Sequence, residues 1–148
     1  MKKTILFTLL LIVNITFAQR LLTRSGEIKF DASMPNLVEI AGKSNTVSAI
    51  LDQATGQFAT SVIIKSIRFK TPLMEEHFNE NYLESDKFPK AEFKGAVSNN
   101  AAVNYAKDGT YAVTVKGKLT IHGQTKDVEA PGKLVVQGGK VNATASFA

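Results

Sequence analysis

From Gly26 onward, apolar and polar residues alternate along the chain with a period of two. The clearest run is TYAVTVKGKLTIHG, in which Tyr111, Val113, Val115, Gly117, Leu119 and Ile121 share one face and Ala112, Thr114, Lys116, Lys118 and Thr120 share the other. Successive side chains of extended backbone point to opposite sides, so this alternation predicts a strand with one buried and one wet face. His122-Gly123-Gln124 interrupts it, and a second alternating run begins at Lys126; the pair predicts a hairpin in which Gly123 takes the positive φ. Pro131-Gly132 predicts a bulge or break in the returning run, because proline cannot donate to a ladder. The same period recurs in GEIKFDA (Ile28, Phe30), NLVEIAG (Val38, Ile40) and NTVSAIL. This last run leads through the Asp52–Gly56 turn into QFATSVIIKSIRF. AEFKGAV and KVNATASF add two more, separated from the hairpin by the polar loop SNNAAVNYAKDG and the Gly138-Gly139 turn. Seven or eight short strands with short connections predict an all-β, antiparallel sandwich or up-and-down barrel.

One segment breaks the pattern. In TPLMEEHFNENYLESDKFP, residues 71–89, Met74, Phe78 and Tyr82 recur at i, i+4 and i+8, which predicts a helix with a single apolar stripe. Thr71 suits the N-cap and Pro72 the first helical position. Glu75 and Glu76 favour the positive end of the helix dipole, and Phe88-Pro89 stops the chain. The stripe needs a partner, and the mouth of a barrel supplies one.

Composition sets the compartment. Met1-Lys2-Lys3, an apolar run from Thr4 to Phe17 and small residues at Thr16 and Ala18 predict a secretory signal peptide over residues 1–18, cut after Ala18. Its apolar run is short for a membrane span and no later run reaches that length, so the mature chain is expected to be periplasmic or secreted, without a transmembrane segment. Removing the segment leaves 130 residues, 19–148, enough for one domain, and the loss of Lys2 and Lys3 lowers the net charge from +5 to +3. That charge is too small to point to nucleic acid. The chain has no cysteine, which excludes disulfides, thiolate metal sites, a cysteine nucleophile and a lipidated cysteine.

Candidate chemistry is sparse. Glu75 and His77 stand two apart and leave a helix on different sides; the i+4 position from His77 is Asn81, so the paired-ligand zinc helix is absent. Glu76 and Glu80 make a solvated acidic face. His122 lies in a tight turn, where a surface residue, or one bonding the local backbone, is expected. No nucleophile elbow, dinucleotide fingerprint or P-loop occurs. No catalytic residue, metal site or cofactor is therefore assigned. An enzyme using His77 or His122 is kept as an alternative, and so is a structural barrel with a protein partner. The remaining candidate is the barrel interior. Its aromatics, Phe58, Phe78, Tyr82, Phe88 and Phe93, with Val113, Val115, Leu119 and Ile121, either pack a solid core or leave room for one small ligand, and both readings stay open.

Two stretches, FKTPLMEEHFNENYLESDKFPKAEFKG and GTYAVTVKGKLTIHGQTKDVEAP, resemble the YceI-like family of periplasmic lipid- or polyisoprenoid-binding proteins with a lipocalin-like barrel. The likeness rests on Glu75, His77 and Phe78, the Tyr82-Leu83 pair, the Phe88-Pro89 exit and the Leu119–Lys126 hairpin. With the run from Phe58 to Phe69 it covers most of residues 19–148. The resemblance implies a lipocalin-like β-barrel with one short capping helix. It further implies an apolar tunnel holding an amphiphilic lipid, a polyisoprenoid or the tail of an isoprenoid quinone, without metal or covalent chemistry. Phe58, Val62, Ile64, Met74, Phe78, Tyr82, Phe88, Phe93, Val113, Val115, Leu119 and Ile121 are the residues expected to line it. Such proteins usually continue with strand sequence that completes the barrel, whereas this chain ends VNATASFA, so the barrel is expected to lack its C-terminal strands. The oligomeric state stays open, a dimer included.

Overall fold

The computed structural model describes residues 19–32 and 40–148; the signal-like segment 1–18 and residues 33–39, with the expected strand position Val38, lie outside the described residues. Eight strands make one antiparallel sheet: β1 (Arg20–Asp31), β2 (Ala41–Asp52), β3 (Gln57–Ile63), β4 (Arg68–Phe69), β5 (Lys90–Val97), β6 (Gly109–Ile121), β7 (Gln124–Gln137) and β8 (Lys140–Ala145). Neighbours run in the order β1-β2-β3-β5-β6-β7-β8, and β4 pairs with the start of β2, beyond the stretch that β3 occupies. This up-and-down order curls the sheet into a nearly closed barrel. Among the described residues β1 and β8 pair only with β2 and β7, so a seam runs between them.

Curvature has a local cause at the centre of the sheet. Gly95 of β5 stands opposite Gly117 of β6, and a Cβ built on Gly95 would lie 2.1 Å from the Lys116 carbonyl oxygen, one on Gly117 2.3 Å from that of Lys94. Only residues without side chains let the two strands approach this closely and bend together. The β6–β7 hairpin forms as the alternation predicts, with Ile121 opposite Gln124. Both residues of its two-residue tip take positive φ, His122 at 52° and Gly123 at 70°, the geometry whose twist matches the flanking strands. The break expected at Pro131 does not occur, for β7 is continuous through it. β8 pairs only from Gly132 onward, so Pro131 stands where β7 becomes an edge and its missing N–H is tolerated.

The helix forms where expected but is short. Thr71 Oγ1 accepts a hydrogen bond from the Met74 N–H at 3.3 Å, Pro72 opens α1 (Pro72–His77), and residues 78–82 then widen into a π turn closed by Leu83 N–H donating to the Phe78 carbonyl. The wider turn corrects the expected stripe. In an α-helix Tyr82 would stack on Phe78; here the step of five brings Leu83 onto the core side, and Tyr82 turns outward, 65 % exposed.

Two apolar clusters fill the ends of the barrel. At the helix end Phe78 is buried with Val47, Val62, Ile64, Ile67 and Ala91, and its ring lies 4.6 Å from that of Phe69 and 5.4 Å from that of Phe30. At the other end Leu51, Val97, Val113 and Leu134 are buried beneath Tyr105 and Tyr111.

Candidate ligand-binding cavity

Between the two clusters the inner face of the barrel lines a partly open cavity of about 1140 Å³. Its size follows from the side chains that the register puts inside. The inner face of β7 carries Val128, Ala130 and Gly132 opposite Gly117, Val115 and Val113, and the inner face of β8 adds Ala143 and Ala145. These small residues face bulkier ones across the barrel, Leu51, Phe58, Val62 and Phe93, and leave the space between empty. The side chains that the register turns inward are apolar apart from hydroxyls such as Thr23 and Thr60, and the lining also includes Glu27, Glu92, Lys133 and Lys140, whose positions in the register fall on the outer face. An uncharged hydrocarbon segment can occupy such a volume without leaving a buried charge unpaired. Thr23, Ile28, Ala143 and Ala145 line the cavity and are exposed, so among the described residues it is open along the seam between β1 and β8.

Six of the twelve residues expected to line a tunnel meet on this wall: Phe58, Val62, Phe93, Val113, Val115 and Leu119. The other six do not. Ile64 opens a 3₁₀ turn (Ile64–Ser66) and is buried in the helix-end cluster with Val62 and Phe78. Phe78 is held in the helix-end cluster, Ile121 packs against it, and Met74 is half-buried on α1. Tyr82 faces solvent, and Phe88 packs edge-on against the His122 ring at 5.1 Å. Sequence reasoning missed the wall made by Leu21, Ala49, Val128 and Ala130. The small residues at alternate positions in KDVEAPGKLVV were the available signal, and the break expected at Pro131 concealed it.

Charged groups lie outside. Lys116 pairs with Glu129 at 3.3 Å and Lys118 with Asp127 at 2.8 Å, on the face opposite Val115 and Gly117. Glu75 holds Arg68 in an ion pair and accepts from the Phe69 N–H, tying α1 to β4. His77 is exposed on α1. His122 bonds not to its local backbone but to Glu84, Nε2 to Oε2 at 2.8 Å, and Lys87 reaches the other Glu84 oxygen at 2.8 Å. The hydrogen bond from Lys87, and secondarily that from His122, holds the Glu84 carboxyl below its ordinary value. Both Glu84 and His122 have positive φ, so two strained residues meet where the helix exit touches the hairpin tip. Among the described residues no three His, Cys, Asp or Glu side chains gather as a metal site, and no helix is long and apolar enough to cross a membrane.

An antiparallel barrel of lipocalin type, with one short helix on its end and an apolar interior, defines the class of protein. Within that class the chain belongs to the family of the YceI-like domain, whose model matches residues 20–148. Solved structures share the fold. A polyisoprenoid-binding domain from Saccharophagus degradans, implicated in plant cell wall breakdown, superposes with a TM-score of 0.68 at 14% identity, over 81% of this chain and 69% of that one. BcnA of Burkholderia cenocepacia gives 0.61 at 18% identity over 79% and 72%. The YceI protein of Campylobacter jejuni gives 0.50 at 18% identity over 71% and 61%. No curated protein matches the chain by sequence.

Proposed function

We propose that this protein binds and carries an amphiphilic lipid, a polyisoprenoid or the tail of an isoprenoid quinone, in the barrel cavity, outside the cytoplasm and without catalysis. The observation that carries the reading is the cavity of about 1140 Å³ bounded by apolar inner-face side chains. Family membership and the polyisoprenoid-binding domain among the structural neighbours support the ligand class, and the signal-like N-terminus supports the compartment. Each methylene taken from water into such a cavity contributes about 0.8 kcal/mol, so a long chain is held without a charged anchor, and the polar head is left at the seam.

Titration with an isoprenoid quinone, followed by quenching of tyrosine fluorescence, tests this. Val115→Asp places a charge on the cavity wall and is expected to abolish binding, while Lys116→Asp, on the outer face, leaves it nearly unchanged. Ala130→Phe fills the cavity and is expected to reduce binding while the barrel still folds. Equal binding by all three variants contradicts the assignment.

A further inference from the structure

The strand register sets the inner wall in rows that run across the sheet, and one row differs from those beside it. Leu21, Leu51, Phe58, Gly95 and Gly117 stand opposite one another in succession from β1 to β6, an apolar row throughout. The next row is Thr23, Ala49, Thr60, Phe93 and Leu119, every member of it on the cavity wall. Beyond it Gly26 faces Val47 and Val62 faces Ala91, apolar again. Two hydroxyls therefore sit at one level of the barrel, on alternate strands, with the methyl group of Ala49 between them.

The fold makes little use of either hydroxyl. That of Thr60 has no hydrogen-bond partner among the described residues, although Thr60 is half-buried between Ala49 and Phe93. Thr23 Oγ1 accepts from the Ser25 N–H at 3.2 Å, and its own proton has only the long contact to Ser25 Oγ at 3.4 Å. A hydrocarbon chain laid across this row strips water from both groups and returns no hydrogen bond, a loss comparable with the gain from burying a methylene or two. A ligand with an acceptor for each hydroxyl avoids that loss. Adjacent strands lie about 4.8 Å apart, so the two hydroxyls stand about 10 Å from each other. A six-membered ring with carbonyl groups at opposite corners, each accepting a hydrogen bond of about 2.8 Å, spans that distance. Ala49 leaves room for the ring, and Phe93, whose ring centroid lies 6.2 Å from that of Phe58, gives an apolar aromatic wall beside it.

We propose that Thr23 and Thr60 select the head group: the cavity takes a para-quinone ring laid over Ala49, with one carbonyl oxygen accepting from the Thr23 hydroxyl and the opposite one from the Thr60 hydroxyl. This rests on the lipid-binding reading above and adds to it the residues that discriminate among lipids. An isoprenoid tail on the flank of the ring leaves across the line joining the two carbonyls. It therefore runs along the strands and through the apolar rows.

Calorimetric titration of the protein purified after expression of the full 148-residue chain tests this with two probes: a 1,4-benzoquinone bearing a short isoprenoid tail, and a benzene ring bearing the same tail and no oxygen. The parent is expected to bind the quinone at least about 10-fold more tightly. Thr60→Val and Thr23→Val, which keep the shape and remove the hydroxyl, are each expected to weaken quinone binding about 5-fold and to leave the benzene probe unchanged; Thr60→Ser retains the preference. Infrared difference spectra of the bound quinone are expected to show both carbonyl stretches lowered in the parent, with one returning to its unbonded frequency in each valine variant. Equal binding of the two probes by the parent overturns the assignment, whatever the variants do, and so do carbonyl stretches at their unbonded frequencies. In both cases the lipid-binding reading stands. A parent that takes up neither probe overturns both.

Discussion

The two ends of the barrel are closed by different physics. At the helix end, closure is apolar: Phe78 sits between Phe30 and Phe69 above Ile64 and Ile67, and the polar contacts around it are surface ion pairs such as Lys65–Asp86 at 2.6 Å. At the other end, closure is made by side-chain amides that replace missing backbone partners. Asn100 Nδ2 donates to the Gln53 carbonyl at 2.9 Å, Asn99 Nδ2 donates to the Ala112 carbonyl while its Oδ1 accepts from the Thr114 N–H, and the Tyr105 hydroxyl donates to Asn100 Oδ1 at 2.7 Å. Surface ion pairs contribute little, whereas a hydrogen bond to a part-buried group is costly to leave unmade. The helix end is therefore held by volume and the loop end by geometry. Among the described residues the cavity is open along the seam between β1 and β8.

Mutations at the two ends sharpen this contrast. The largest effect is expected for Phe78→Ala, which leaves a void among packed rings and costs about 3–5 kcal/mol in urea unfolding of the ligand-free protein. Tyr82→Ala, one π turn away and exposed, stays within about 0.5 kcal/mol. A small loss at Phe78 with accelerated lipid release would instead make the helix a lid. Next, Asn100→Ala removes the donor to Gln53 and the acceptor of Tyr105 together, and is expected to cost about 1–3 kcal/mol by the same measurement.

Tyr105→Phe removes only the hydroxyl and is expected to cost about 1 kcal/mol at neutral pH. Its signature is at alkaline pH. Burial raises the Tyr105 hydroxyl above its ordinary 10.0, so the unfolded chain gives up that proton first. Stability should fall as pH rises above 10.0 and level off past the folded value, and the Phe variant should lose this slope. The smallest effect is at the helix exit. Glu84 is held below its ordinary 4.5 by Lys87 and His122, so its contribution is present above 4.5 and fades as pH falls through the lower folded value. Melting curves of Glu84→Gln should differ little from the parent near neutrality and converge with it in acid; a growing difference toward low pH would break the account of that contact.

How much of this was legible in the sequence depended on whether the information was local. The β6–β7 hairpin was readable because strict alternation and Gly123 agree, and the N-cap at Thr71 was readable because Thr-Pro precedes an apolar stripe. Residues on the cavity wall were readable where the period of two persisted, as at Val113, Val115 and Leu119. The reading failed where backbone geometry changed without a marker. At Ile64 a 3₁₀ turn opens and the residue packs in the helix-end cluster, and a π turn exchanged Tyr82 for Leu83. His122 was legible as a turn residue, but its partner Glu84 lies thirty-eight positions away and nothing in either segment specifies the contact. The cavity itself depends on Val128, Ala130, Ala143 and Ala145 lining up along the barrel wall, a relation that only the strand register supplies.

The central claim is that the apolar cavity holds a lipid chain. Its most direct test is organic extraction of the protein purified without detergent, followed by mass spectrometry, with Val115→Asp purified in parallel. The account predicts an isoprenoid lipid at close to one molecule per cavity in the parent and none in the variant. An extract free of lipid from parent protein that also fails to take up an isoprenoid quinone would contradict it.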